Sequence, residues 1–282
     1  MSFQVPERTY LFIDGEYVRR IHSEAMRDFF GVDGDLDLSE LRDQAEAIRA
    51  FFYDSIDDAP REGETEEECQ KRIAPLEQFF AQARALSGVH VRLGTVVGKR
   101  NRKKGPRQKE VDILLATDML THGFNGSMQK AVLLAGDLDF RPIVEALVRH
   151  GVFVEVWYHR SSIAQDLPGA ADFGHAIRFR QLHSWNTQHF QDAHPLPRNS
   201  ENVGQPRGEL LKVGAILNHR IEFYRMERED ETTFYLWIDT GRGSSITVSD
   251  EDTALLERYV TVQYGPIRWS AERLSTAVAG AV

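Results

Sequence analysis

Five aspartates in this sequence are spaced as a phosphate-cleaving site would need them. Asp14 follows the apolar run Tyr10–Ile13. Asp112 and Asp118 lie within KEVDILLATDML, and Asp137 and Asp139 within AGDLDF. Hydrolysis of a phosphodiester needs a nucleophile at neutral pH and compensation for charge growing on the phosphate oxygens. Divalent metals supply both. Mg²⁺ prefers oxygen ligands and keeps several waters, so a few converging carboxylates suffice. Each aspartate taken singly also has a plainer use. Asp14-Gly15 reads as a turn, Asp112 as a charge favoured at a helix N-terminus, and Asp139 as an N-cap for a helix over 140–150. On an ideal helix Asp112 and Asp118 point about 120° apart. Asp118 then falls on the side of Val111, Leu114 and Leu115, where a carboxylate needs a partner.

The elements around them alternate between strand and helix patterns. Strands are expected at 10–13, 51–55, 89–97, 131–135, 152–158 and near 177–180. Helices are expected at 16–30, 38–50, 70–86, 110–121, 140–150 and briefly near 163–172, with an exposed acidic loop over 57–69. This order implies a parallel sheet with helices on both faces, whose ligands bind beyond the carboxyl ends of the strands. Asp14, Asp137 and Asp139 belong at that edge.

Residues 186–208 are polar, with three prolines, and read as a linker between a domain over 1–185 and a smaller one over 209–282. The latter is expected to be α+β, with a helix at 209–218, strands at 220–228 and 233–239, and a helix at 251–259. In FYLWI (234–238), Phe234, Leu236 and Ile238 share one face. Such an accessory domain would serve a protein partner or self-association.

Composition narrows the function classes. A hydrophobic share of 41% can fill a sizeable core, and the single cysteine, Cys69, excludes an internal disulfide or a multi-cysteine zinc site. The opening residues lack the basic start and long apolar stretch of a secretion signal, and no run approaches the roughly 18 apolar residues of a membrane span. A cytoplasmic protein without membrane attachment is the expectation. The net charge of −9 argues at first against nucleic acid, but residues 99–109 hold seven basic residues and no acidic one. Lys99, Arg100, Arg102, Lys103, Lys104, Arg107 and Lys109 run directly into the Asp112 helix, where they could hold a phosphate backbone. Asp33, Asp35 and Asp37 imitate the start of a calcium loop. Leu38 and Gln44 occupy the positions that require Gly and Glu, which rules it out. His183, His189 and His194 show no paired metal spacing and are expected at the surface.

FIDGEY (12–17), KEVDILLATDML (109–120) and AGDLDFRPIVEALVRHGVFVEV (135–156) together resemble the LabA-like NYN domains of the PIN-like nuclease superfamily. The resemblance covers about residues 8–180. It implies a parallel-sheet PIN-like fold, an acidic site for Mg²⁺ or Mn²⁺, and endoribonuclease activity on RNA. On that match Asp14, Asp112 and Asp137 are the metal ligands, with Asp118 and Asp139 as supporting catalytic acids. The match departs from the family pattern at four positions. Tyr17 replaces an asparagine, Ala135 and Leu138 replace serines, and Glu110 replaces a glycine. Tyr17 motivates the alternative of a catalytically weak RNA- or protein-binding NYN module; a DNA-directed nuclease is the third.

Overall fold

The computed structural model describes residues 8–58, 60–94, 109–162, 166–228 and 231–270. The chain divides between Phe190 and Gln191 into two compact units.

The first unit is built on a six-stranded parallel sheet of order β3-β2-β1-β4-β5-β6. Its strands are β1 (Thr9–Asp14), β2 (Arg49–Ser55), β3 (Val89–Gly94), β4 (Lys130–Leu134), β5 (Phe153–His159) and β6 (Phe173–Ile177). β1 and β4 lie at the centre, paired from Thr9↔Lys130 to Ile13↔Leu134. Their sequences, TYLFID and KAVLL, are apolar on both faces because both faces are covered. On one face Tyr10, Phe12, Phe51, Ala131 and Leu133 pack with Val111, Leu115 and Met119 of α4 (Lys109–Phe124) and Val144 and Leu147 of α5 (Arg141–Arg149). The other face carries α1 (Gly15–Phe30), α2 (Leu38–Gln44), α3 (Glu66–Ala85) and α6 (Phe179–Ser184). There Phe52 meets Phe79 and Phe80, and Phe29 meets Phe179.

The strand order reverses between β1 and β4. Such a switch point leaves a crevice at the carboxyl ends, where open α/β sheets bind ligands. Asp14 ends β1 and Asp137 follows β4 closely. Gly15 starts α1 at that edge because a side chain would not fit. A Cβ there would lie 2.6 Å from both the Tyr53 carbonyl and Asp54 Oδ2.

Several elements differ from the sequence expectation. The helix expected over 38–50 stops at Gln44, Glu46 turns at φ 51°, and β2 has begun by Arg49. Ile48, whose spacing suggested the helix, is exposed. α3 starts at Glu66 rather than 70, set by a capping box between Thr65 and Glu68, and Cys69 within the expected loop is buried. The strand expected near 177–180 lies at 173–177, and Phe179 already opens α6. Between β5 and β6 the short helix appears as two 3-10 turns, Arg160–Ser162 and Pro168–Ala170. His183 is buried, not exposed. The calcium imitation is resolved by local bonding. Asp33 accepts from Ser23 and Arg27, Asp35 from Thr187, and Asp37 caps α2.

Part of the stretch expected as linker, 186–208, is structured. Trp185 and Asn186 are fully buried, with Asn186 Oδ1 accepting from Asp35 N at 2.7 Å. α7 (Gln188–Ala193) and β7 (Arg198–Glu201) follow. The second unit is an antiparallel sheet of order β12-β8-β9-β10-β11-β7. It comprises β8 (Glu209–Ile216), β9 (His219–Arg228), β10 (Glu231–Gly241), β11 (Ser244–Asp250), α8 (Thr253–Tyr264) and β12 (Ile267–Trp269). Residues 209–216 are thus a strand and not a helix. They pair with β9 from Glu209↔Arg225 to Ile216↔His219, and cross-strand pairing overrides the helical spacing of Leu210, Val213 and Ile216. Leu236 and Ile238 of FYLWI are buried together.

Candidate functional site

Asp14 is held by the start of α1. Its Oδ1 accepts from Tyr17 N at 3.1 Å, as an N-cap, and its Oδ2 makes no hydrogen bond among the described residues. Asp137 repeats the arrangement at the end of β4, where its Oδ1 accepts from Asp139 N at 3.0 Å to cap the 3-10 turn Leu138–Phe140. Asp137, not Asp139, is therefore the cap. α5 itself begins at a cap residue, Phe140, that makes no side-chain bond. In both aspartates one oxygen accepts from a backbone N–H and the other makes no hydrogen bond among the described residues. Asp112 stands in the first turn of α4, half-exposed, beside the buried stripe of Val111, Leu115 and Met119.

Electrostatics tie these groups together. Burial raises the Asp14 carboxyl from an ordinary 3.8 to about 7, and the charges of Asp112, Glu16 and Asp54 add to the rise against the opposing Tyr17 hydrogen bond. Asp112 is raised as well, first by desolvation and then by Asp137, Asp139 and Glu16. Among the described residues none of Asp14, Glu16, Asp112, Asp137 and Asp139 has a basic partner within 4 Å. A cluster of mutually repelling carboxylates with free oxygens is what a hard cation would relieve. No three of the described His, Cys, Asp or Glu side chains converge closely enough to form a ready cage. By donor chemistry, then, Asp14, Asp112 and Asp137 fit Mg²⁺ or Mn²⁺.

Asp118 is not brought to this group. It faces the sheet, accepting from the Tyr53 hydroxyl at 2.9 Å and lying 3.4 Å from Arg92 Nε. The partner that its position demanded is Tyr53, whose own ionisation is pushed up by burial and by the Asp118 charge. Leu114, expected on the same packed side, is exposed. Tyr17 takes no place in the acidic cluster either: it is buried, and its hydroxyl accepts from His159 N at 2.9 Å, tying α1 to the end of β5. Two acidic residues went unnoticed in the sequence. Glu16 follows Asp14 closely and perturbs both Asp14 and Asp112. Asp54 is the penultimate residue of β2, beside β1, and carries a strand-end signal like that of Asp14. Lys99, Arg100, Arg102, Lys103, Lys104 and Arg107 lie outside the described residues; Lys109 opens α4. No described helix is long and apolar enough to cross a membrane.

No curated protein matches the chain significantly. Among solved structures, a protein of unknown function from Vibrio parahaemolyticus RIMD 2210633 is similar at 20% identity with a TM-score of 0.46. The match covers 63% of this chain and 96% of that one. The family model of the NYN domain matches residues 8–178, which include all five aspartates and every strand of the parallel sheet. That match spans more than half of the sequence, and the chain belongs to the NYN domain family.

Proposed function

We propose that the NYN unit is a metal-dependent endoribonuclease of the LabA-like type, acting through Asp14, Asp112 and Asp137. The observation that carries this reading is the uncompensated carboxylate cluster at the β1/β4 switch point. Membership of the NYN family, part of the PIN-like nuclease superfamily, supports hydrolysis of phosphodiester bonds in general. A bound Mg²⁺ or Mn²⁺ would activate water and offset charge on the phosphate. Asp14 and Asp137 each present one oxygen to the ion while the other is locked by a backbone N–H, so the ligand set is preorganised. Asp112 contributes from the opposite wall, the N-terminal turn of α4. The basic run 99–109 leads straight into that turn and supplies phosphate contacts that position RNA without reading its sequence. The second unit selects partners or copies of this chain.

The test is single-turnover cleavage of labelled RNA with Mg²⁺, Mn²⁺ or EDTA, with DNA of the same sequence in parallel. Asp14→Asn and Asp137→Asn should each abolish cleavage with the fold intact, because an amide binds a hard cation far more weakly. Asp139→Asn should be milder, since only its backbone N–H is engaged. Unchanged cleavage in either of the first two removes that residue from the mechanism, and equal cutting of DNA removes the preference for RNA.

A further inference from the structure

An open cleft of about 860 Å³ is bordered by α1, by the residues following β2 and by α3; Asp14, Asp112 and Asp137 do not line it. Glu16, which raises both Asp14 and Asp112, lines it together with Glu24, Asp33, Asp35, Asp54 and Asp57 and with several arginines. One of these arginines is held differently from the rest. Arg27, Arg61 and Arg72 pair with Asp33, Asp57 and Glu64, carboxylates that keep 65%, 33% and 14% of their surface in solvent. The partner of Arg19 is Asp54, only 1% exposed. Arg19 Nε and Nη2 donate to Asp54 Oδ2 and Oδ1 at 2.7 and 3.1 Å, and Ser55 N donates to the same Oδ1 at 2.8 Å. One edge of the guanidinium is thereby fixed on a buried anion. The remaining nitrogen, Nη1, has no protein partner among the described residues, and the side chain is 34% exposed in the cleft. A planar fork locked on one edge and open on the other suits a phosphate oxygen, and little rotamer freedom is left to lose on binding.

We propose that Arg19, positioned by Asp54, binds the phosphate next to the linkage that is cut, so that the cleft between α1 and α3 receives the flanking nucleotide of the RNA. This rests on the nuclease reading of the neighbouring aspartates. Asp14 caps α1 and Arg19 lies five residues on, about 7.5 Å along the helix axis and about 140° round it, so both are carried by one rigid element but on different faces of it.

The experiment uses the full chain in EDTA and a short single-stranded RNA whose internal phosphates are replaced, one at a time, by neutral methylphosphonate. For the wild type, neutralising one position should weaken binding about tenfold or more, as expected for a charge-assisted contact. Arg19→Lys keeps a cation beside Asp54 but removes the free Nη1 donors. It should reduce that penalty to within about twofold at that position and leave the other positions unchanged. The double variant Arg19→Gln with Asp54→Asn removes both charges without stranding a buried carboxylate, and should give the same flattened profile with an unaltered melting curve. A penalty profile that is identical in wild type and both variants overturns the proposal, as does a wild-type profile with no position-dependent penalty. Cleavage in Mn²⁺ is scored separately. RNA that is cut by a protein with a flat profile sinks only the Arg19 subsite. An Arg19-dependent profile in a protein that cuts nothing sinks only the nuclease reading.

Discussion

Replacing Asp14 by asparagine should make the protein more stable at neutral and alkaline pH while removing its response to divalent cations. The Asp14 carboxyl has its ordinary value of 3.8 in the unfolded chain and about 7 in the folded one. Between these values the folded state binds the proton that the unfolded state has lost, so stability falls as pH rises through this window and levels off above about 7. Each pH unit is worth about 1.4 kcal/mol, which makes the full cost of the ionised group about 4 kcal/mol. Asparagine keeps the N-cap oxygen for Tyr17 N and removes the charge, forfeiting roughly 1 kcal/mol of favourable interaction with the N-terminus of α1. The net gain for Asp14→Asn is then about 3 kcal/mol at pH 8, near zero or slightly negative below pH 4. For a unit of this size that is a rise of roughly 5–10 °C in Tm. Thermal melts across pH 4–9 measure it. Added Mn²⁺ should stabilise the wild type selectively, by about 2.7 kcal/mol at a hundredfold excess over Kd, and narrow the gap in Tm. A variant no more stable than wild type at pH 8, or one stabilised equally by Mn²⁺, would refute the view of Asp14 as a desolvated carboxylate awaiting a cation.

The other expectations concern neighbouring groups. Asp118→Ala should lower stability by about 1–3 kcal/mol in denaturant melts, because the buried Tyr53 hydroxyl loses its acceptor, yet leave single-turnover cleavage within about twofold. Gly15→Ala should cost about 2 kcal/mol or more, since its Cβ would meet the Tyr53 carbonyl at 2.6 Å, and soluble yield and melting would report it. A chain ending at Ser184 should melt well below one ending after Ala193, because it lacks the buried Trp185 and Asn186. Changing Lys99, Arg100, Arg102, Lys103, Lys104 and Arg107 to serine should flatten the salt dependence of RNA affinity while changing the saturated cleavage rate little.

Much of the first unit can be read from the sequence because its signals are local and its strands are buried on both faces. Tyr10–Ile13 and Ala131–Leu134 are unbroken apolar runs, the first followed directly by Asp14 and the second by Asp137 after Ala135 and Gly136, and their order fixes which sheet edge the carboxylates share. Failures arise where two periodicities coincide. Leu38, Leu41, Ala45 and Ile48 satisfy a helical repeat, but a backbone turn at Glu46 ends it and Ile48 donates to Thr9 O at the mouth of the sheet. Leu210, Val213 and Ile216 suit a helix in isolation and a strand once β9 lies beside them. Here the deciding interaction is long-range and leaves no local trace.

The same distinction explains which parts of the site could be found. Asp14 and Asp137 are legible because each lies at a strand end and each doubles as a cap, two roles that a short motif records. Asp118 misleads, since spacing along α4 shows that it faces the core but not that Tyr53 waits there as its partner. Asp54 sits at a strand end like the others, in FFYDS, and its meaning depends on Arg19, which lies in a different element and becomes its neighbour only when α1 packs beside β2. A buried carboxylate with a basic partner and one without look alike in sequence, although the first is neutralised and the second is left uncompensated. Separating the two is a matter of counter-ions, and that information resides in the packing of helix against sheet.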